Sequence, residues 1–510
     1  MAFTSGIPAA LQPTQTKALY SGNYIDFTDS SFNQWAQQFL PDVYEQEVER
    51  YGNRSIGSFL RMVSAEMPST SDQIIWTEQG RLHTRYANIV YLSDSGTMPT
   101  SGTTPGTATA AATGGEVGNF FVPTAQPSSL GVTTQGTTAV NFRKGQTVMI
   151  QAQTSATSAI GGTGAMIKAI VTNVSGQYFQ VKSLTGVPAI TTAQRFTALA
   201  YGSEFAKGSS NFTEKLDPSY ATFKNSPVIL KEHYSISGSD TAQIGWIEVT
   251  SENGASGYLW YLKSEHENRL RFEDYLEMSM VEGVKQLNTG ATLNFYDSAL
   301  TATAKGTEGF FEAIEARGNV YSGFGAQAAG GGALTDFDAV LTQLDKQGAI
   351  EENMLFLDRN LSLEIDDILA QQNGGYSGGT SFGVFNNSED MALNLGFTGY
   401  RRGSYDFYKT DWKYLNDFST RGGFGDIEGV LVPAGTSTVY DQVLGSNIKR
   451  PFLHIRYRAS ETENRKMKSW VTGSVGGPSS SPIDEMRMHY LSERCLIVQG
   501  ANNFVLFKDA

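Results

Sequence analysis

A single cysteine, Cys495, in a chain of 510 residues excludes an intramolecular disulfide, so oxidative cross-linking plays no part in holding the fold. Its setting, Glu493-Arg494-Cys495-Leu496-Ile497-Val498, reads as a strand in which the thiol serves as a small buried hydrophobe rather than a nucleophile. Long apolar runs are missing too. None approaches the roughly 20 residues a membrane-spanning helix needs, and Met1 to Lys17 shows neither the basic nor the apolar part of a signal peptide. The expectation is a reducing compartment and no membrane partner. Dense basic runs are also lacking: 38 Lys and Arg face 51 Asp and Glu, a net charge of −13. Arg401-Arg402 and Lys449-Arg450 are local pairs, better read as solvated loop charges than as a grip on phosphates.

Metal-ligand and phosphate-loop signatures are missing as well. His83, His233, His266, His454 and His489 stand at no metal-ligand spacing, and no His-Glu-x-x-His pattern occurs. Gly422-Gly423-Phe424-Gly425 does not precede a helix, so its amides lack the dipole that turns such a loop into an anion site. Glu364, Asp366 and Asp367 are expected in the first turn of a helix, where negative charge complements the macrodipole. Glu45, Glu47 and Glu49 fall on a solvated helical face. A glycosidase pair needs only spatial closeness, so sequence gives that chemistry no positive support and no exclusion. No catalytic, cofactor-binding or metal-binding residue is assigned, and a non-enzymatic role is expected.

What the chain has in abundance is glycine, 54 residues, with 29 phenylalanines and 23 tyrosines. That balance suits a strand-rich, loop-rich protein. Phe32, Trp35, Ala36, Phe39 and Leu40 form a helical stripe that Pro41 interrupts, and Tyr44, Val48 and Tyr51 continue it. Asp72 to Leu92 changes to strand pattern around a turn at Gln79-Gly80, followed by a Ser/Gly/Thr/Ala/Pro-rich stretch, Ser93 to Gly118, expected to be a flexible connection or exposed loop. Phe120 to about Leu199 reads as a small β module, with Ile167, Ala169 and Val171 facing Phe179 and Val181 across a turn at Ser175-Gly176. Tyr258 to Glu282 holds neither Gly nor Pro and predicts the longest helix, its stripe being Phe272, Leu276, Met280, Val284 and Leu287. Two shorter helices follow. One carries Phe337, Val340, Leu341 and Leu344 with Thr335 as N-cap, the other Leu361, Ile365, Ile368 and Leu369, and Met354-Leu355-Phe356-Leu357 between them predicts a buried strand.

This order of elements resembles the Hong Kong 97-type major capsid proteins of tailed bacteriophages. Tyr201-Gly202-Ser203-Glu204-Phe205-Ala206-Lys207-Gly208-Ser209, Val228 to Gly238 and Thr241-Ala242-Gln243 look like the returning limb of such proteins. More narrowly, Met1-Ala2-Phe3-Thr4-Ser5-Gly6-Ile7-Pro8 and Ser71-Asp72-Gln73-Ile74-Ile75-Trp76-Thr77-Glu78-Gln79-Gly80-Arg81-Leu82 are similar to the capsid proteins of crAss-like phages of gut Bacteroidales. The resemblance implies an α+β fold in seven parts. These are an N-terminal arm and helix at 1–60, the outgoing limb of an E-loop with a linker at 61–117, and an inserted β domain at 118–200. The returning limb at 201–250, a spine-helix peripheral domain at 251–330, an axial domain at 331–450 and C-terminal strands at 451–510 follow.

The function so implied is self-assembly into hexameric and pentameric capsomers of an icosahedral head enclosing double-stranded DNA, contacted non-specifically. Portal, scaffolding, decoration or head-fibre proteins are the implied partners. The location is the virion, after synthesis in the host bacterial cytoplasm, and no cofactor is implied. Two features depart from the family: too few residues precede the arm for an internal scaffolding segment, and no Lys–Asn–Glu cross-linking triad can be matched. Two rivals stay open, a secreted or cell-surface β-rich adhesin and a carbohydrate-active hydrolase.

Overall fold

The computed structural model describes residues 66–509 apart from 80–82, 84, 109–113, 124–139, 154–165, 192–193, 211–219, 244–248, 251–255, 258–259, 286–305, 325–331, 349, 375–398, 442–445 and 476–479. The arm, the helical stripe at 32–51, Glu45, Glu47 and Glu49, Tyr258 and Leu287 lie outside the described residues. The chain is a mixed helix and sheet protein that divides into two compact units, Thr77–Phe223 and the two flanking segments that end at Trp76 and resume at Lys224.

Two strands come first, β1 (Glu66–Ser69) and β2 (Ile74–Gln79). The first unit then builds a closed barrel from β3 (Arg85–Ser93), β4 (Val117–Phe121), β5 (Gln146–Ala152), β6 (Ile167–Ser175), β7 (Tyr178–Ser183) and β8 (Phe196–Ser203), in the order β3-β4-β7-β6-β5-β8. Closure leaves no edge strand for another chain to extend. Ile167, Ala169 and Val171 are buried beside Phe179 and Val181, as the alternation predicts. The hairpin turn centres on Gly176-Gln177, one residue later than expected, because Ser175 pairs with Tyr178 and Gly176 supplies the positive φ of 56°. Phe120 stacks on Phe179 at 5.3 Å, and Phe142 meets Tyr86 edge-on at 5.2 Å. The buried hydroxyl of Tyr86 accepts the Asn141 N–H at 2.8 Å.

The strand pattern of 72–92 divides: β2 pairs with β9, while β3 is paired on both sides, by β4 and β8, and so is the first strand of the barrel. The polar stretch after it is an exposed loop, one of the two expected forms, and hydrogen bonds fasten its described part. Gly106 N–H donates to the Tyr91 carbonyl at 2.8 Å, and Ala108 bridges Ile190. A Cβ at Gly106 would stand 1.9 Å from the Leu92 carbonyl oxygen, so only glycine permits this approach. Buried Asn119 donates to the Ser95 carbonyl at 2.8 Å, and Gln180 donates to the Gly96 carbonyl at 3.0 Å and to Asn119 at 3.1 Å. Backbone and amide hydrogen bonds do what an apolar anchor would otherwise do.

The chain returns through β9 (Tyr220–Asn225), β10 (Val228–Ser237), α1 (Gly238–Gln243), β11 (Val249–Thr250), β12 (Ser256–Gly257), α2 (Trp260–Glu282), α3 (Phe310–Arg317) and β13 (Asn319–Ser322). After these come α4 (Gly332–Gln347), β14 (Glu352–Leu357), α5 (Arg359–Gly374), β15 (Gly399–Arg402), β16 (Tyr405–Asp411), α6 (Lys413–Asn416) and β17 (Ile427–Pro433). The last strands are β18 (Thr436–Asp441), β19 (Ser446–Pro451), β20 (Leu453–Arg458), β21 (Lys468–Gly473), β22 (Glu485–Val498) and β23 (Val505–Lys508).

This second unit holds two large sheets besides the two-stranded pairs β11-β12 and β18-β19. One runs β1-β20-β22-β10, with β21 also on β22, and the other β13-β23-β17-β14-β16-β15. Phe272 and Leu276 of α2 are buried against Tyr490 of β22, with Phe272 and Tyr490 stacked at 5.9 Å. The predicted stripe holds through Met280, but Val284 lies beyond the end of α2 and is exposed. In the six-stranded sheet alternation divides two cores. Leu355, Leu357, Val505 and Phe507 face Phe337, Val340 and Leu344 of α4 and Leu361 and Ile365 of α5. Phe356, Phe504 and Leu506 point into the other core with Phe310, Phe311 and Trp412.

Helix boundaries shift two further expectations. Helix α4 starts at Gly332, which puts Thr335 inside its first turn rather than at the cap. Helix α5 starts at Arg359, so Glu364, Asp366 and Asp367 miss its first turn. Asp358 stands just before it and accepts the Leu361 N–H at 2.8 Å. Asp366 instead meets Lys409 of β16 at 2.5 Å, both side chains about nine-tenths buried.

Candidate functional site

Most residues weighed for chemistry in the sequence lie among the described residues. Cys495 is fully buried on β22, and burial pushes its thiol up to about 12, far from a reactive thiolate. Arg402 holds Asp338 through two bonds of 2.6 and 2.8 Å, and Arg401 lies 3.4 Å from Asp406. Both are ion-paired on β15. Lys449 and Arg450 fall on β19, where only the backbone is described. Arg421-Gly422-Gly423 forms a single 3-10 turn that leads into a strand and not a helix.

His454 is buried on β20 with Nδ1 3.0 Å from the Pro451 carbonyl, while His266 lies on α2 and His83 in an exposed bend. His233 and His489, 256 positions apart in sequence, become register partners on β10 and β22, with ring centroids 6.3 Å apart. Trp470 of β21 stacks on His489 at 5.0 Å, and Thr472 Oγ1 lies 2.8 Å from its Nε2. Burial first, then Arg487 and His233, depress the His489 imidazole, with Glu485 opposing. Linear spacing could not reveal this pair, because strand pairing alone creates it. Among the described residues no group of three or more His, Cys, Asp or Glu is arranged to hold a metal ion.

A cavity of about 300 Å³ opens between the start of α5, the α6 loop and the C-terminal end of β23. Asp358, Glu428 and Asp509 line it, beside Leu415, Asn416 and Gly425. Burial pushes the Glu428 carboxyl up to about 7, and the charges of Asp358, Asp509 and Glu364 add to the rise. The loop at its rim is tightly wound. Asp417 accepts from the Ser419 N–H and hydroxyl at 2.9 and 2.7 Å, and Thr420 Oγ1 donates to the Tyr414 carbonyl at 2.7 Å. Arg421 reaches Glu282 at 2.8 Å and Asp426 at 2.7 Å. Yet this braced loop holds Phe418 63% and Phe424 80% exposed.

The third feature is the pair of strands leading to and from the barrel. Strands β2 and β9 pair only with each other among the described residues. Their root is fixed: Trp76 is buried under the Arg317 guanidinium, 5.7 Å from its ring, and buried Asn225 donates to the Leu496 carbonyl at 2.7 Å and the Glu308 carbonyl at 3.1 Å. Elsewhere the ribbon is open, with Ile75 59% and Tyr220 58% exposed.

No family model and no curated protein matches the sequence. Solved structures that it resembles in part come from phages. A chain of Mycobacterium phage Ogopogo is 13% identical, with 61% of this chain and 83% of that one covered at a TM-score of 0.32. A chain from the capsid of the cyanophage P-SCSP1u is 10% identical, covering 61% and 81% at 0.32. One from the mature capsid of bacteriophage PhiM1 is 9% identical, covering 61% and 79% at 0.30. Overlaps at these TM-scores assign neither fold nor function.

Proposed function

We propose that this chain is the major capsid protein of a tailed bacteriophage, of the Hong Kong 97 type and akin to those of crAss-like phages. Residues 1–60 serve as the arm, β2 and β9 as the stem of the E-loop, the barrel as its inserted domain, α2 as the spine helix and the six-stranded sheet as the axial domain. Copies join into hexamers and pentamers of an icosahedral shell around double-stranded DNA, in the company of portal, scaffolding, decoration or head-fibre proteins. The net charge of −13 suits a wall along which DNA slides without sticking.

The observation that carries this reading is the stem. A two-stranded ribbon is marginally stable in water by itself, and this one exposes Ile75 and Tyr220 on strands with no further strand partner among the described residues. Copies of the same chain supply the missing cover in an obligate assembly. Expression of the chain alone, followed by sizing and negative-stain microscopy, tests the reading. Rings, tubes or shells are expected, and a lone monomer at high concentration would refute it.

A carbohydrate-active hydrolase has one observation in its favour, since a carboxyl near 7 in a cavity with other carboxylates can act as a general acid. Against it, Asp358 is occupied in capping α5. Turnover of a glycan panel that Glu428→Gln abolishes would establish that chemistry.

A further inference from the structure

We propose that the Phe418–Phe424 loop and the carboxylate-lined cavity beside it form one half of a contact between two copies of this chain. Its other half is the outward face of β10, β22 and β21, which carries Lys231, His233, Lys468 and Trp470. The inference rests on the assembly reading and adds the two surfaces that meet.

The loop side is preorganised. A Cβ at Gly422 would stand 2.8 Å from backbone atoms of Leu415, Asn416 and Asp417, so the turn is wound as closely as a chain allows. Arg421 fixes it to Glu282 and lies over the Phe311 ring at 5.7 Å. Large aromatics held in place lose little conformational freedom on binding, which is why such groups dominate interface energetics. The adjoining cavity is anionic. Asp358, Glu428 and Asp509 line it, and the one arginine there, Arg359, is held 2.6 Å from Asp411.

The receiving face is mixed in charge around one lysine that is unpaired among the described residues. Strand alternation and register place Ile229, Lys231 and His233 of β10 beside Glu493, Leu491 and His489 of β22 and Lys468 and Trp470 of β21, and Glu493 is held by Arg465 at 2.6 Å. Tyr490 and Met488 face the other way, into the α2 core. Ile229, Lys231 and His233 are exposed. Lys468 lies over the Trp470 ring at 5.6 Å and pairs with Glu463 at 2.9 Å, while Arg487 pairs with Glu485 at 3.0 Å. Lys231 has no acidic partner among the described residues, and so remains available to a carboxylate from outside. Two phenylalanines beside an acidic cavity thus match a face that bears tryptophan and isoleucine around the unpaired Lys231. Because the two surfaces differ, the contact is head-to-tail, the kind that closes into rings.

A photoreactive benzoylphenylalanine in place of Phe418 or Phe424, in the full chain under assembling conditions, tests the match. Cross-linked dimers should map residue 418 or 424 to 228–237 or 468–473 of another copy. Links to a different segment, or none in particles that have formed, would overturn the inference while leaving assembly intact. Absence of particles from the unsubstituted chain removes the assembly reading itself, and this contact with it. The variant with Phe418→Ser and Phe424→Ser should keep its thermal midpoint and lose at least tenfold in assembled fraction. Unchanged assembly would contradict the proposal.

Discussion

The barrel and the ribbon that leads to it use similar strands to opposite ends. Six strands close on one another around Phe120, Phe142, Phe179 and Phe196, and every one has two neighbours. Strands β2 and β9 have one neighbour each among the described residues, with Ile75 and Tyr220 left in solvent. The difference separates strands whose pairing is completed around a core from strands left with apolar side chains in solvent. The braced loop displaying Phe418 and Phe424 belongs with the ribbon in this respect.

The largest expected effect lies on the completed side. Phe120→Ala opens a hole in the aromatic cluster and should destabilise the barrel by about 3–5 kcal/mol, measured by denaturant unfolding with a near-ultraviolet probe. A loss under 1 kcal/mol would mean that the barrel is less tightly packed than its geometry indicates. Next comes Asn119→Ala, which strands the Gln180 amide and the Ser95 carbonyl and should remove about 1–3 kcal/mol. Hydrogen exchange should then quicken in residues 93–108, the segment that this amide pair fastens.

A smaller effect, of opposite sign, is expected on the unfinished side. Glu428 has a folded-state value near 7, above the ordinary 4.5, so its contribution to stability is full below 4.5 and disappears as pH rises through 7. Glu428→Gln should therefore stabilise the chain at pH 8 by about 1 kcal/mol, with allowance for solvent screening of a partly buried group. It should change nothing at pH 4. Thermal unfolding at both pH values reads the difference, and equal shifts would show that Glu428 is not held against its neighbours.

Much of the local structure was legible in the sequence because period reports burial. The stripe Phe272, Leu276, Met280 and the alternation of Ile167, Ala169 and Val171 need no partner to be read. What escaped depends on contacts remote in the chain. Strand β3 reads as separate from the β module because nothing local shows that β8, more than 100 positions later, completes its pairing. The stretch from Ser93 looked loose because its composition lacks apolar anchors, and its hold comes from Asn119, Gln180 and one glycine. Glu364, Asp366 and Asp367 looked like macrodipole charges because the partner of Asp366, Lys409, sits on another strand. The His233–His489 pair exists only through register.

The central claim, that the ribbon is completed by other copies, is tested most directly by particle yield against fold stability in one variant, Ile75→Ser with Tyr220→Ser. Surface changes of this kind shift stability by no more than about 0.5 kcal/mol. The account predicts a folded chain with an unchanged melting curve that sediments as single subunits where the unsubstituted chain forms particles. Normal particles from this variant would contradict it.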